Sequence, residues 1–205
     1  MKILVIEDKK IHRDSAVQTL AGHEVVIVDS YAKGIEALST SVDYQLMERL
    51  ATEAGHGKYP HGSPDEVKSA WQKVENNLRE QARNRPDFDA VLVDMMMPMD
   101  SDTLAPGVFN YKEQVAYGFV LALRACQVGA KYVAMVTDTN HHKAPLSAAL
   151  DKLGSAYYSG HEPLFEINGA KALFVHTPFT EKGAGEAKDW GRVLQHLIDG
   201  PKQRD

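Results

Sequence analysis

The sequence has almost no cysteine and no long apolar run. Cys126 is the single cysteine among 205 residues, so an internal disulfide and a zinc site of several thiolates are excluded. No apolar stretch approaches the roughly 20 residues that a membrane-spanning helix needs. The apolar run at the start of the chain is too short for a secretory signal and ends in two acidic residues. We therefore expect a cytoplasmic protein with no membrane partner.

The sequence also lacks a strong excess of charge of either sign. Lys and Arg total 23 and Asp and Glu total 28, which gives a net charge of −5. Domains that bind nucleic acid usually carry a basic surface, so this balance argues against a nucleic-acid partner. The apolar fraction of 43% and the length are sufficient for one α/β domain with a sizeable core.

Five short apolar runs are the main structural signal. They are rich in Val, Ile and Leu without polar alternation, as in parallel strands that are covered on both faces. The runs are Ile3–Ile6, Val25–Val28, Ala90–Val93, Tyr132–Val136 and Ala172–Val175. Segments with helical spacing separate them, which predicts an α/β fold with a doubly wound, five-stranded parallel sheet. In such sheets, ligands bind beyond the carboxyl ends of the strands.

Helical spacing also predicts the segments between the strands. The first helix is expected over His12–Leu20, with Val17 and Leu20 facing the core. Apolar residues at helical spacing from Tyr31 to Leu50 predict one long helix. The last helix is expected over Gly185–Ile198.

We interpret the chain as one domain, residues 1–205, that carries insertions. The largest, about 39–85, is predicted to be an antiparallel helical hairpin whose second helix starts at the capping box Ser63-Pro64-Asp65-Glu66. Smaller insertions are expected at about 100–117 and 157–169. The second of these contains Asn168-Gly169 between two apolar runs, which predicts a β-hairpin.

Three carboxylates are predicted to meet at one edge of the sheet. Glu7 and Asp8 follow the first apolar run, and Asp94 follows the third. Carboxylates brought this close repel one another unless a cation lies among them. Hard oxygen ligands that leave positions for water suit Mg²⁺. A carboxylate beside Mg²⁺ can also act as a nucleophile toward a phosphoryl group.

The segments around these acids resemble the receiver domain of two-component response regulators. Glu7-Asp8 is similar to the acidic end of the first strand in that family. The segment Asp87–Pro98 resembles the phosphoacceptor strand, including the proline four positions after the aspartate. Val133–Thr137 resembles the fourth strand, and Phe174–Phe179 resembles the fifth strand with the loop that follows it.

The resemblance implies a fold, an activity and a set of site residues. The fold is the flavodoxin-like receiver fold, and Asp94 would be the phosphoryl acceptor. Mg²⁺ would be held by Glu7, Asp8, Asp94 and the backbone carbonyl of Met96. Thr137 would hydrogen-bond the phosphoryl group, and Phe174 would be the aromatic switch residue.

One position departs from the pattern of the family. A Lys normally stands directly before the proline that follows the fifth strand, and here Thr177 precedes Pro178. Thr177 would take that place in the site, but it offers a neutral hydroxyl instead of a point charge. Lys143, Lys171 and His176 are the candidates to supply the missing charge.

The resemblance implies a stand-alone receiver, because the chain ends soon after the last predicted helix. Its partners would be a histidine kinase or phosphotransfer protein and a downstream protein, with the 39–85 hairpin as one surface for the latter. No enzymatic activity is expected beyond self-phosphorylation and dephosphorylation at Asp94. The alternative is a phosphorylation-independent pseudo-receiver that acts as a protein-interaction module. A homodimer stays open, whereas a Mg²⁺-dependent phosphatase is disfavoured because Met96 replaces the second aspartate of that signature.

Overall fold

The protein is described by a computed structural model over residues 1–57, 60–101, 104–138, 149, 164–176 and 187–200. Within these residues the strands are β1 (Lys2–Ile6), β2 (Glu24–Val28), β3 (Ser41–Val42), β4 (Arg83–Asn84), β5 (Ala90–Asp94), β6 (Met97–Pro98), β7 (Gln114–Val115), β8 (Tyr132–Thr137), β9 (Leu164–Ile167) and β10 (Ala170–His176). The helices are α1 (Lys10–Thr19), α2 (Tyr31–Ala37), α3 (Tyr44–Glu53), α4 (Asp65–Gln81), α5 (Tyr117–Val128) and α6 (Trp190–Asp199). None of these helices is long and apolar enough to cross a membrane.

The central sheet has six strands in the order β2-β1-β5-β8-β10-β9. The first five are parallel, which is the flavodoxin-like order 2-1-3-4-5 and confirms the predicted doubly wound sheet. β9 adds an antiparallel edge strand to β10. The turn between β9 and β10 is Asn168-Gly169, with φ values of 52° and 80°, so the predicted hairpin is confirmed.

Helices cover both faces of this sheet, as the apolar strands require. Alternate residues of the five parallel strands contribute to two separate apolar clusters. One cluster packs against α2 and α5, with Leu121 and Ala125 at its centre. The other packs against α1 and α6, with Leu20 and Trp190 fully buried.

The inward-facing side of α1 differs from the prediction. Val17 is 61% exposed, whereas His12, Ala16 and Leu20 are buried. The buried positions are spaced by four residues and therefore lie on one face of the helix. The prediction placed Val17 inside because it is apolar, and it overlooked His12 because that side chain is polar.

Residues 39–86 form a second compact unit. Within it α3 and α4 contact each other, and β3 pairs with β4 in antiparallel fashion. The single long helix predicted from Tyr31 to Leu50 is wrong, because α2 ends at Ala37 and α3 begins at Tyr44. The Asp43 side chain caps α3 by accepting from the backbone N–H of Leu46 at 2.9 Å.

The segment predicted as an insertion at about 100–117 contains a short ladder and the start of a helix. β7 pairs with β6 in antiparallel fashion, and α5 begins at Tyr117. The α5 N-terminus approaches the sheet closely, since the backbone N–H of Gly118 donates to the carbonyl of Met95 at 3.1 Å. Residues 157–163 of the other small insertion lie outside the described residues.

Gly118 provides the first testable prediction. A Cβ at this position would lie 2.6 Å from the Cα of Met95 and closer still to the carbonyl oxygen of Asp94. Backbone atoms cannot move aside cheaply, so we expect Gly118→Ala to lower the free energy of unfolding by about 1–3 kcal/mol. Urea denaturation measures this change. Gly22→Ala is the matched control, because a Cβ at Gly22 meets nothing within 4 Å. Equal stabilities of the two variants would contradict the close approach.

Candidate functional site

The three predicted carboxylates meet at the carboxyl edge of the sheet. Glu7 and Asp8 follow β1, and Asp94 is the last residue of β5, the parallel neighbour of β1. One carboxylate oxygen from each of the three residues lies within 4.8 Å of the others. Glu7 is 0% exposed and Asp94 is 1% exposed, so two of the three acids are removed from water.

A lysine that the sequence analysis did not select lies between two of these acids. The ammonium of Lys188 is 2.6 Å from Oε2 of Glu7 and 2.7 Å from Oδ1 of Asp94. The Lys188 side chain is 1% exposed and also lies over the ring of Trp190, 5.3 Å from its centroid. A buried ammonium of this kind is a charge that the fold holds in place rather than a solvated surface group.

Alternation along the strands explains why these groups meet on one side of the sheet. Ile3 and Val5 of β1, and Leu92 of β5, point to the α1–α6 face. Glu7 and Asp94 continue the same two-residue periodicity. Both carboxylates therefore leave the strands toward the face from which Lys188, two residues before α6, approaches them.

Burial and mutual contact shift the pKa values of Glu7, Asp94 and Lys188. Loss of water, reinforced for Glu7 by the charge of Asp94, raises the pKa of Glu7 to about 8. Loss of water also raises the pKa of Asp94 to about 6, although Lys188 opposes the shift. Burial by itself lowers the pKa of Lys188, but attraction to Asp94 and Glu7 outweighs it and the pKa is raised. The ammonium therefore stays protonated.

The loop that carries Glu7 and Asp8 is held by hydrogen bonds from its neighbours. The backbone N–H of Lys9 donates to Oε1 of Glu7 at 3.0 Å. The guanidinium of Arg13 donates to the backbone carbonyls of Glu7 and Asp8. Oδ1 of Asp8 is buried with no hydrogen-bond partner among the described residues. A buried carboxylate oxygen in this position can still accept a ligand.

Three further predicted site residues lie within the described part of the chain. Thr137 is the buried last residue of β8, directly after Val136, whose register partner is Asp94. Met96 is mostly buried two residues beyond the end of β5. Phe174 is buried in β10 within the apolar cluster on the α5 face of the sheet. Thr137 and Met96 therefore lie at the carboxyl edge, whereas Phe174 belongs to the opposite face of the sheet from Glu7 and Asp94. The roles of all three stay predictions.

The candidates for the missing charge have different outcomes. Lys143 lies outside the described residues, as does the side chain of His176. Thr177, the residue at the place of the family's lysine, lies outside them too. Lys171 does not approach the carboxylates, because it lies near the start of β10 at the opposite end of the sheet and its ammonium donates to the carbonyl of Ile198 at 3.3 Å. The described cation that contacts Glu7 and Asp94 is instead Lys188.

The prediction missed Lys188 because it placed the last helix over residues 185–198. Asp189 is instead the N-cap of α6, and its side chain accepts from the backbone N–H of Arg192 at 2.9 Å. Aspartate is a preferred N-cap residue, so Asp189 could have indicated from the sequence that the helix begins after it. Lys188 then precedes the helix. That part of the chain lies at the carboxyl edge of a parallel sheet.

A second buried polar residue, His12, was also missed. Its Nε2 lies 3.2 Å from Oδ2 of Asp138, and its Nδ1 accepts from the backbone N–H of Lys188 at 3.2 Å. The ammonium of Lys9 also binds Oδ2 of Asp138, at 2.5 Å. The hydrogen bond from His12 lowers the pKa of Asp138 far below its ordinary value, with further help from Lys9.

Comparison with known proteins gives little information about this chain. No family model matches the chain, and no curated protein matches it. One similar solved structure is the N-terminal domain of a response regulator/sensory box/GGDEF 3-domain protein from Carboxydothermus hydrogenoformans. It is 15% identical, with 97% of this chain and 91% of that chain covered and a TM-score of 0.36. The fold assignment rests on the strand order of the sheet.

The raised pKa of Glu7 predicts how stability depends on pH. The pKa rises on folding from 4.5 to about 8, so the protonated form favours the folded state. Its contribution is complete below pH 4.5 and is lost as the pH rises through about 8. We expect Glu7→Gln to remove this part of the fall in the free energy of unfolding between about pH 5 and 8, measured with a chelator present.

The exposed Glu24 provides the matched control for that experiment. Glu24→Gln removes one carboxyl from β2 and should leave the pH dependence of the wild type unchanged. If Glu7→Gln and the wild type lose stability in parallel over this range, Glu7 does not carry a raised pKa.

Proposed function

We propose that the protein is a response-regulator receiver that accepts a phosphoryl group on Asp94. The observation that carries this proposal is the buried lysine, Lys188, whose ammonium contacts Asp94 and Glu7 at the carboxyl edge of a 2-1-3-4-5 sheet. A carboxylate nucleophile, further acids and a fixed cation are the groups that phosphoryl transfer to a protein carboxylate requires. The ammonium of Lys188 offers the positive charge that Thr177 lacks, which supports this function despite the departure from the family pattern.

The proposal includes a divalent cation, and Mg²⁺ suits the donor set. With Glu7, Asp8 and Asp94 ionised and Lys188 protonated, the four groups carry a net charge of −2, which a divalent cation balances. The buried, unpartnered Oδ1 of Asp8 supports the fit. Glu7, Asp8, Asp94 and the carbonyl of Met96 would hold the ion. When bound, Mg²⁺ would neutralise charge on the transferring phosphoryl oxygens.

The residues of the chain then account for the transfer step. A carboxylate oxygen of Asp94 attacks the phosphorus of the donor, and the bond from phosphorus to the leaving group breaks. The leaving group, a histidine nitrogen or the acetate of acetyl phosphate, takes the electron pair, and Asp94 becomes an acyl phosphate. Lys188 stabilises the negative charge on the phosphoryl oxygens. The hydroxyl of Thr137 donates a hydrogen bond to the same group.

The proposed partners follow from this chemistry. A histidine kinase or a phosphotransfer protein in the cytoplasm supplies the phosphoryl group. A downstream protein reads the phosphorylated state through contacts that change with it. The compact unit of residues 39–86 is a candidate surface for that protein, and Phe174 is the candidate switch residue.

Phosphorylation of Asp94 is directly testable by intact mass. Acetyl phosphate with Mg²⁺ should add one phosphoryl group to the wild type and none to Asp94→Asn. Omission of Mg²⁺ should suppress the reaction. Beryllofluoride with Mg²⁺ provides a second readout, because Trp190 lies beside Lys188 and its fluorescence reports on the site. Trp71→Phe removes the signal of the other tryptophan.

Phosphorylation of neither protein, with no response to beryllofluoride, would overturn the proposal. The chain would then act as a phosphorylation-independent pseudo-receiver, in which Lys188 stays paired with Glu7 and Asp94. Equal phosphorylation of wild type and Asp94→Asn would instead place the acceptor elsewhere.

The role of Lys188 has its own prediction. Lys188→Met should reduce the rate of phosphorylation by acetyl phosphate about tenfold or more, the effect of one hydrogen bond to a charged group. Lys188→Arg keeps the charge and should retain more activity than Lys188→Met. It therefore tests the role of the charge even where the Met variant folds poorly. Lys131→Met is the control, since Lys131 has a 71% exposed side chain and pairs with Asp89 before β5. Equal rates for all these proteins would exclude Lys188 from the reaction.

A further inference from the structure

The backbone of Lys188 is tied to α1 by two side chains. Nδ1 of His12 accepts from the backbone N–H of Lys188 at 3.2 Å, and Oγ of Ser15 donates to its carbonyl at 2.7 Å. His12 and Ser15 are three residues apart and thus neighbours on the same helix. The backbone N–H and the backbone carbonyl of Lys188 are therefore both held by side chains of α1.

The contacts of His12 determine which of its nitrogens carries the proton. Nδ1 is unprotonated, because a backbone N–H donates to it. The proton of the neutral ring is then on Nε2, which faces Oδ2 of Asp138 at 3.2 Å. Asp138 is itself held by Lys9, at 2.5 Å. A carboxylate that accepts from one ring nitrogen fixes the tautomer in which the other is an acceptor.

Neighbouring contacts hold the imidazole ring in place. His12 is 3% exposed, and its backbone carbonyl accepts from Nε1 of Trp190 at 2.9 Å. Trp190 follows Lys188 by two residues and is fully buried. Gly191 continues the contact, since its N–H donates to Oγ1 of Thr19 at 3.2 Å. The start of α6 is thus joined to α1 directly after Lys188.

We infer that His12 and Ser15 are positioning residues that hold Lys188 in the site, and that Asp138 selects the His12 tautomer required for this. Within the described residues, the backbone of the lysine is thereby held by side chains of α1. The inference rests on the proposed function only in giving Lys188 a phosphoryl group to bind. Loss of the hydrogen bond to Nδ1 should release the Lys188 backbone and withdraw the ammonium from Glu7 and Asp94.

Two substitutions of His12 separate its two hydrogen bonds. His12→Asn keeps an acceptor oxygen near the place of Nδ1 and loses the donor to Asp138. His12→Gln keeps a donor near the place of Nε2 and loses the acceptor for Lys188. The readout is the rate at which an acetylating ester modifies the ε-amine of Lys188 in the folded protein, measured by peptide mass spectrometry without Mg²⁺ or phosphodonor. Lys131 in the same molecule is the internal standard.

We expect wild-type protection of Lys188 in His12→Asn and roughly fivefold faster modification in His12→Gln and Ser15→Ala, the effect of one lost hydrogen bond. The free energy of unfolding is measured for each variant, so that global opening is separated from local release. Wild-type protection in His12→Gln would overturn the inference. Equal loss of protection in both His12 variants would also overturn it, since His12 would then act only by packing.

Two further measurements complete the test. Long-range ¹H–¹⁵N NMR of the His12 ring should show the proton on Nε2, and a proton on Nδ1 would overturn the assignment. His12→Gln should raise the acetyl phosphate concentration needed for half-maximal phosphorylation roughly fivefold, whereas His12→Asn should not. If the wild type accepts no phosphoryl group, the proposed function fails while the acetylation rates still decide the positioning role.

Discussion

The ammonium of Lys188 between two buried carboxylates is the constraint on which the site depends. Transfer of ionisable groups from water into the protein is costly, and only close pairing offsets the cost. The distances of 2.6 and 2.7 Å provide that pairing. Removal of one partner from such a group typically destabilises a protein by about 3–5 kcal/mol, because the remaining charges stay buried. The carboxyl edge of the sheet is thus stable only when the start of α6 is in place.

This constraint links parts of the fold that are distant in the sequence. Glu7 directly follows the first strand, Asp94 ends the third strand of the parallel order, and Lys188 belongs to the segment before the last helix. Two-residue periodicity along β1 and β5 directs both acids to the α1–α6 face. On that face, α1 holds the backbone of Lys188 through His12 and Ser15. Residues 39–86 form their own compact unit and contribute none of these groups.

The sequence was sufficient for the sheet and the acids but not for the lysine. Parallel strands buried on both faces are nearly continuous apolar runs, so the five strands and the residues after them could be located. Lys188 escaped because helical spacing alone extended the last helix to residue 185, and only the Asp189 cap contradicts that boundary. His12 escaped because a histidine on a helix is usually a surface residue. Its burial depends on Lys188, Trp190 and Asp138, which spacing along one segment cannot bring together.

The way in which Lys188 is held also limits how the proposed phosphorylated state could differ from the free state. A phosphoryl group on Asp94 replaces a carboxylate of charge −1 with a group of charge near −2, and Lys188 must then leave Oδ1 for a phosphoryl oxygen. Its backbone is fixed on both sides by α1, so the side chain can turn while the main chain stays in place. A larger shift requires α1 and the start of α6 to move together, because Trp190 and Gly191 bind the same helix. Any signal that reaches this face would therefore involve α1 and α6 as one element.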